Sequence, residues 1–119
     1  MTRRVRVPSG PQRALILRAF FIFMLYYNYI LYSKKLDLYY KGITENISRR
    51  LSEHNSGKGR YSDSKGPWSL VYLKAVGTKK EALIEERRIK RLNRRSLELL
   101  IESTENEIRN MNIGLISVG

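Results

Sequence analysis

Aromatic and aliphatic residues concentrate in three short stretches of the chain, and each stretch predicts a β-strand. The stretches read YYNYILYS at residues 26–33, LYYKG at residues 38–42 and WSLVYLKAV at residues 68–76. Aromatic and β-branched side chains favour strands because they pack well on a pleated, half-buried surface. Only the polar residues KKLD separate the first two stretches, so these two predict a β-hairpin.

The segment after the hairpin has the spacing of a helix. It reads TENISRRLSEHNSG at residues 44–57. Ile47 and Leu51 lie four residues apart and would face inward together. Thr44 is the expected N-cap of this helix, and Gly57 is expected to end it.

Two further helices are predicted after the third strand. Thr78 and Glu81 match the capping-box pattern, which opens a helix that is expected to run to about Arg91. A last helix, with the sequence SLELLIEST, is expected from Ser96. The element order is therefore ββαβαα. This order predicts an α/β (α+β) domain in which helices flank a three-stranded antiparallel sheet.

The two ends of the chain differ in composition from its middle. Residues 1–23 hold five arginines and no acidic residue, and their apolar run is shorter than the roughly 20 residues that a membrane-spanning helix needs. We expect residues 1–23 to be an appendage, residues 24–101 to form the domain and residues 102–119 to form a C-terminal tail. The glycine-, serine- and lysine-rich segment 56–67 predicts a mobile loop that faces a ligand.

Basic side chains clearly outnumber acidic ones. The chain has 23 Lys and Arg against 11 Asp and Glu, which gives a net charge of +12. Such a charge attracts polyanions, and nucleic acid is the commonest of these. A membrane surface or a ribosome would be attracted by the same charge, so composition alone leaves these alternatives open.

Two residue counts exclude whole classes of site. The chain has no cysteine, which excludes disulfides, thiolate zinc sites and a cysteine nucleophile. It has one histidine, which excludes a metal site built from several histidines. The lack of cysteine also fits a reducing compartment, and we expect the protein in the cytoplasm. No membrane association and no small-molecule cofactor are expected.

Two pairs of polar side chains are expected to meet in the fold. Tyr29 and Tyr40 lie on the paired strands of the hairpin, where facing side chains can be about 5 Å apart. Arg50 and His54 lie four residues apart and share one face of the predicted helix. Aromatic packing and a solvated helix face would explain the same pattern in a chain with eight tyrosines. The pattern alone therefore leaves packing and function open.

Five segments stand out along the predicted domain. They read YILYS, YYKG, SRRLSEHNSG, GPWSLVY and EALIEERRIK. Their order and spacing closely resemble those of the GIY-YIG nuclease superfamily, and more narrowly the chain looks like its small stand-alone bacterial members. The catalytic domains of excision-repair incision subunits and of homing endonucleases are similar relatives. The resemblance covers residues 24 to about 101. The GIY position reads YNY at residues 27–29 and the YIG position reads YKG at residues 40–42, so the tyrosines and the glycine are kept.

The resemblance implies a nuclease site with four catalytic residues. Tyr29 and Tyr40 would lie at the scissile phosphate, where one phenol helps to deprotonate the attacking water. Arg50 would bind a phosphate oxygen and neutralise charge in the transition state, which suits its forked guanidinium. His54 would donate to the phosphate or help to position the water.

The cofactor implied by the resemblance is Mg²⁺ or Mn²⁺, and Glu86 matches the glutamate that holds this metal in the family. Counting from EAL selects Glu86 over Glu85, which helical periodicity does not separate. One carboxylate is enough, because Mg²⁺ commonly completes its octahedron with water and substrate phosphate. Some nuclease members carry an asparagine after the metal ligand, and Asn93 is the only nearby candidate, at a shorter spacing. Gly42 is expected to matter for the shape of the backbone or for a close approach of another group.

The basic run RRIKRLNRR, residues 87–95, predicts a track for the phosphate backbone, with a solvated helix face as the alternative. The residues expected to contact nucleic acid are Lys41, Arg49, Arg87, Lys90, Arg91, Arg94 and Arg95. The expected function is metal-dependent hydrolysis of nucleic-acid phosphodiester bonds, with DNA as the expected substrate. A nucleic-acid-binding module with little or no turnover is the alternative, and a basic structural or ribosome-associated protein is a third.

Overall fold

The computed structural model describes residues 10–16, 25–57 and 64–110 of the chain. Residues 11–16 form a short helical segment. The strands that follow are β1 (Tyr26–Ser33), β2 (Leu38–Thr44) and β3 (Trp68–Val76). The longer helices are α1 (Ile47–Asn55), α2 (Lys79–Lys90) and α3 (Arg94–Glu102), and a 3₁₀ turn follows at Ile108–Asn110.

The three strands form one antiparallel sheet in the order β2-β1-β3, so β1 is the central strand. This confirms the predicted fold class, a three-stranded antiparallel sheet with helices in the order ββαβαα. β1 and β3 have the predicted bounds, whereas β2 continues beyond the predicted end at residue 42 to Thr44. Residues 34–37, with the sequence KKLD, form the turn that joins β1 to β2.

α1 begins later in the chain than the sequence predicted. Thr44 is the last residue of β2 and is still paired with Tyr27 of β1. The predicted Thr44 cap is therefore wrong, and Asn46 takes that position. Its side chain accepts a hydrogen bond from the Arg49 amide at 3.0 Å. Asparagine suits an N-cap because its short side-chain oxygen satisfies an N–H group of the first turn.

The other two helices show one confirmed and one corrected start. Thr78 caps α2 as predicted, since its hydroxyl accepts a hydrogen bond from the Glu81 amide at 3.2 Å. The predicted start of the last helix at Ser96 is wrong, because α3 already begins at Arg94. The Asn93 side chain caps α3 by accepting a hydrogen bond from the Ser96 amide at 2.8 Å.

The sheet carries a buried hydrophobic cluster on each face. The cluster on the α1 face consists of Tyr29, Leu31, Leu51, Trp68 and Leu73. The cluster on the opposite face, which we call the α2 face, consists of Ile30, Tyr72, Ile89, Leu97 and Leu100. Successive residues of β1 therefore alternate between the two clusters, as the pleat of a strand requires.

An irregularity in β3 changes which of its residues face each cluster. Ile30 of β1 pairs with Tyr72, but the next residue, Leu31, pairs with Leu70, so Val71 is an extra residue in β3. Such a β-bulge redirects the side chains on one side of it. As a result Leu70 packs on the α1 face, whereas Tyr72 packs on the α2 face.

Residues 103–107, which we call the C-terminal strap, cover the outer edge of β3. The Glu107 amide donates to the Leu73 carbonyl at 2.8 Å. The Asn106 side chain accepts from the Leu73 amide at 3.2 Å and donates to the Val71 carbonyl at 2.8 Å. The strap thereby satisfies backbone groups that a fourth strand would otherwise pair.

Some of the predictions concern segments that lie outside the described residues. The proposed appendage, residues 1–23, is described only at residues 10–16, and residues 58–63 of the predicted mobile loop are not described. The domain bounds at residues 24 and 101 therefore remain predictions. No helix within the described ranges has the length and the apolar character needed to cross a membrane.

Candidate active site

Tyr29 lies in the middle of the central strand and projects onto the α1 face. It pairs with Gly42 of β2 and with Leu73 of β3, and it is 1% exposed. Arg50 Nε donates a hydrogen bond to the Tyr29 hydroxyl oxygen at 3.2 Å. His54 Nε2 lies 3.1 Å from the same oxygen. Two side chains of α1 therefore contact the phenol of the central strand.

Gly42 makes room for the Tyr29 ring. A Cβ atom built on Gly42 would lie 2.5 Å from Tyr29 Oη and 2.6 Å from Tyr29 Cζ, which is closer than non-bonded atoms approach. A side chain at this position would therefore push the ring away from Arg50 and His54. The close approach that the sequence predicted at Gly42 is confirmed, and the approaching group is Tyr29 itself.

Arg50 and His54 point toward the sheet together because they are four residues apart on α1. His54 is buried beside Leu51, which anchors the helix to the hydrophobic cluster. Arg50 also forms an ion pair with Glu53 at 3.0 Å and a hydrogen bond with the Tyr40 side chain. The helix thus presents one cation and one imidazole to the two tyrosines.

Tyr40 completes the group from β2. Its ring centroid lies 6.3 Å from that of Tyr29 and 4.6 Å from that of His54. The structure therefore brings together all four residues that were predicted to be catalytic. We call them the tyrosine cluster, and its members are Tyr29, Tyr40, Arg50 and His54.

Burial determines the protonation states within the tyrosine cluster. It raises the pKa of Tyr29 to about 12, although the hydrogen bond and the charge of Arg50 act in the opposite direction. Burial lowers the pKa of His54 to about 4, and the charge of Arg50 lowers it further. At neutral pH the phenol is therefore protonated and the imidazole is neutral.

Arg50 donates to the Tyr29 hydroxyl oxygen, whereas the direction of the contact between Tyr29 and His54 depends on the imidazole tautomer. In the tautomer that carries its proton on Nδ1, the Tyr29 hydroxyl donates to His54 Nε2. The hydrogen bond to Tyr29 is also the main cause that raises the pKa of Arg50, which stays charged. The three groups form a chain in which the proton of the phenol can move to the imidazole.

The two adjacent glutamates of α2 act on different tyrosines of the sheet. Besides burial, the charge of Glu86 raises the pKa of Tyr29. Besides burial and Glu105, the charge of Glu85 raises the pKa of Tyr72, which lies on the α2 face. On a helix with 3.6 residues per turn, these glutamates lie on either side of the buried stripe. The charge of Glu86 therefore acts on Tyr29 of the tyrosine cluster, whereas that of Glu85 acts on Tyr72.

Glu86 offers one carboxylate to a divalent cation. Its side chain is 18% exposed, and Lys90 Nζ lies 3.6 Å from its Oε1 atom. Among the described residues, no three acidic or histidine side chains converge on a common point. Mg²⁺ and Mn²⁺ do not need such a cage, since one carboxylate with water and substrate phosphate completes their shell. The donors present beside the tyrosine cluster therefore fit a hard cation that the substrate helps to hold.

Two of the predicted nucleic-acid-binding residues lie apart from the basic run. Lys41 follows Tyr40 along β2 and so faces the α2 side of the sheet, away from the tyrosine cluster. Arg49 is exposed on α1, where it lies 3.8 Å from Glu45 and 3.4 Å from Glu53. Its charge is therefore partly balanced by acidic neighbours on the same helix.

The basic run at residues 87–95 does not form one uniform surface. Arg94 donates to the Asp37 carboxylate and, at 3.1 Å, to the Asp37 carbonyl, and its guanidinium lies over the Tyr39 ring. Arg88 forms an ion pair with Glu85. These two arginines therefore contact acids of the protein itself. Lys90 lies 3.6 Å from Glu86, and the exposed arginines Arg87, Arg91 and Arg95 complete the run.

Two further residues beside the site did not stand out in the sequence. Trp68 is 2% exposed, and its ring centroid lies 6.1 Å from that of Tyr40 and 6.4 Å from that of His54. The side chain of Asn55, the last residue of α1, hydrogen-bonds the Trp68 backbone. Only the position of Asn55 next to His54 could have indicated this, because the contact joins distant parts of the fold.

Residues 25–98 match the family model of the GIY-YIG catalytic domain. The chain therefore belongs to the GIY-YIG family. It is similar to bacterial UPF0213 proteins, and one from Oceanobacillus iheyensis is 42% identical over 83 residues, which cover 69% of this chain and 95% of that protein. The UPF0213 protein YazA of Bacillus subtilis is 36% identical over 73 residues, or 60% of this chain and 74% of YazA. The solution NMR structure of a UPF0213 protein from Bacillus halodurans is 36% identical and covers 76% of this chain and 96% of that chain, with a TM-score of 0.47.

These matches confirm the predicted resemblance to small bacterial GIY-YIG proteins. The family is a nuclease-like superfamily, and membership in it implies a nucleic-acid partner. The matched residues include the whole sheet, α1 and α2, and therefore the tyrosine cluster and Glu86.

Proposed function

We propose that this protein hydrolyses phosphodiester bonds of DNA with the help of a divalent metal ion. The observation that carries the proposal is the tyrosine cluster itself, in which a charged guanidinium and a neutral imidazole contact one buried phenol. Aromatic packing alone would not require these polar partners. The net charge of +12 supports a polyanionic substrate, and the cysteine-free sequence supports a cytoplasmic location.

Tyr29 and His54 can share the work of a general base. A phenol with a pKa of about 12 is a poor source of free phenolate at neutral pH. In the proposed step, Tyr29 Oη takes a proton from the attacking water while its own proton moves to His54 Nε2. The water oxygen forms a bond to phosphorus, and the bond from phosphorus to the leaving oxygen breaks. The imidazole holds the transferred proton until the product leaves.

Arg50 is placed to bind the phosphate that reacts. Its guanidinium has five N–H donors, of which Tyr29, Tyr40 and Glu53 use only a part. A donor that stabilises the charge developing on the phosphate oxygens typically contributes a factor of about 10²–10³ in rate. Tyr40 would orient the same phosphate through its hydroxyl.

Glu86 would hold Mg²⁺ or Mn²⁺ at the edge of the cluster. When bound, the metal would act as a Lewis acid toward the phosphate and stabilise the leaving oxygen. Lys90 would have to yield its contact with Glu86, which at 3.6 Å and on an exposed side chain is weak.

A binding module without turnover is the second candidate, and one observation favours it. Tyr29 is 1% exposed and His54 is 2% exposed, so the proposed proton-transfer groups do not reach solvent in this conformation. Hydrolysis would require the substrate to open the cluster, whereas binding to the exposed arginines would not. Cleavage and affinity must therefore be measured on the same substrates.

The test compares single-turnover cleavage and affinity on branched, single-stranded and duplex DNA, with and without Mg²⁺ or Mn²⁺. Glu86→Gln and Arg50→Ala should bind DNA like the parent and cleave it about 10²–10³-fold more slowly. Glu85→Gln is the matched control, since it makes the same change one residue away across the buried stripe of α2, and it should retain most of the activity. If Glu86→Gln is active and Glu85→Gln is inactive, the metal ligand is Glu85 and not Glu86. Binding without any cleavage by the parent would select the second candidate.

A further inference from the structure

Asn55, the last residue of α1, is joined to the first residue of β3 by two hydrogen bonds. Its Oδ1 accepts from the Trp68 amide at 2.6 Å, and its Nδ2 donates to the Trp68 carbonyl at 3.1 Å. One side-chain amide thus satisfies both backbone groups of Trp68, as a paired strand residue would. Gly66 packs closely over this contact, since a Cβ there would lie 3.4 Å from Asn55 Oδ1 and 3.2 Å from Trp68 Cδ1.

The backbone that Asn55 binds belongs to the residue that covers the candidate site. The Trp68 indole lies edge-on to both Tyr40 and His54, with interplanar angles of 64° and 61°. His54 directly precedes Asn55 in α1, so the two hydrogen bonds fix the end of the helix and the indole relative to each other. His54 is 2% exposed, and the Trp68 ring centroid lies 6.4 Å from that of His54.

We propose that Asn55 is a positioning residue, which clamps the end of α1 to β3 so that Trp68 keeps water away from His54 and the imidazole stays neutral to accept the Tyr29 proton. The clamp follows from the contacts alone; its consequence for turnover rests on the proposed hydrolysis. Within the part of the chain that the structure describes, the titratable and charged groups that face His54 include Tyr29 from β1, Tyr40 from β2, and Arg50 and Glu53 from α1. Trp68, the contact from β3, contributes no charge.

The requirement for asparagine follows from the two hydrogen bonds. Alanine would remove the side chain that binds both the amide and the carbonyl of Trp68. Aspartate would keep the acceptor for the Trp68 amide but would lose the donor to the carbonyl. We therefore expect a graded series in which Asn55→Ala has the larger effect and Asn55→Asp the smaller one. Asn46→Ala is the matched control, because Asn46 caps the other end of the same helix and lies outside the tyrosine cluster.

The composition of the chain makes the test direct. His54 is the only histidine and Trp68 the only tryptophan, so the imidazole NMR signals and the indole fluorescence each report on one residue. In the full-length parent, His54 should titrate near pH 4. In Asn55→Ala its pKa should rise toward the ordinary value of 6.5, and the Trp68 emission should shift to longer wavelength. Asn46→Ala should lower the unfolding midpoint but leave both signals as in the parent.

The outcomes separate the clamp from the nuclease proposal. A His54 titration in Asn55→Ala that matches the parent, with unchanged Trp68 emission, would overturn the clamp. If Asn55→Ala does not fold, Asn55→Leu decides, because leucine has nearly the size of asparagine, adds no charge beside His54 and removes both hydrogen bonds; a parent-like titration there together with parent-like emission would overturn it equally. A parent that shows no cleavage, with a His54 pKa that responds to Asn55, would refute only the proposed hydrolysis.

Discussion

Gly42→Ala is expected to damage both the stability of the protein and its tyrosine cluster. The new Cβ would meet Tyr29 Oη at 2.5 Å and Tyr29 Cζ at 2.6 Å. Ordinary contacts between such atoms are about 3.5 Å, so the ring must move by about 1 Å. Tyr29 is almost fully buried and bound by Arg50 and His54, which means that the movement breaks or weakens both hydrogen bonds.

The size of the effect follows from these two losses. Overpacking a core position typically costs about 1–3 kcal/mol. Each lost hydrogen bond adds about 0.5–1.5 kcal/mol. We therefore expect Gly42→Ala to lower the free energy of unfolding by about 2–6 kcal/mol, which is a large share of the stability of a domain of this size.

A double-mutant cycle measures whether the Tyr29 ring is the cause. Tyr29→Leu removes the ring, so adding Gly42→Ala to that variant should cost little or nothing. Urea unfolding of the parent, both single variants and the double variant can be followed by the fluorescence of Trp68. If Gly42→Ala costs as much without the ring as with it, the close approach to Tyr29 is not what requires glycine.

Three further predictions concern other parts of the domain. Asn28→Val should raise the free energy of unfolding by about 1–3 kcal/mol, since the buried Asn28 amide has no partner within the described residues; a loss of stability would show that it has one. His54 binds a proton more readily in the unfolded chain than in the folded protein. The free energy of unfolding should therefore fall as the pH drops from 6.5 toward 4, by up to about 1.4 kcal/mol per pH unit. A pH series of urea unfolding should show a smaller fall for His54→Asn. Arg94→Ala should remove the contact with Asp37 and leave the salt dependence of DNA binding unchanged. Arg91→Ala, in contrast, should reduce the slope of log K against log salt by about 0.9. The reverse pattern would contradict the assignment of Arg94 to a contact within the protein and of Arg91 to DNA binding.

Local patterns in the sequence were sufficient to predict most of the fold. The aromatic and β-branched stretches predicted β1 and β3 with their observed bounds. The helix starts were not fixed by local pattern, because several residues near each start have side chains that can cap a helix. Asn46 caps α1 in place of Thr44, because Thr44 is still paired within the sheet. α3 is capped by Asn93 and therefore begins before the predicted start at Ser96.

The candidate site was predictable where spacing and resemblance determine contacts, and not where long-range packing does. The contact between Tyr29 and Arg50 was predictable because the family resemblance assigns both residues to one catalytic site. The contact between Arg94 and Asp37 joins residues 57 positions apart, and no local pattern indicates it. Glu85 and Glu86 are equivalent by periodicity, and only their surroundings in the fold distinguish them.

The C-terminal strap has a consequence for how the sheet meets other molecules. An uncovered edge strand is a template on which a strand of another chain can add, and such addition begins domain swapping and aggregation. The strap ends the ladder at three strands on the β3 side, using the side chain of Asn106 and the backbone of Glu107. A fragment cut at residue 98, where the family match ends, would keep the proposed catalytic groups but would expose this edge. Self-association of the fragment through this edge, rather than loss of the proposed catalytic groups, would then limit its use.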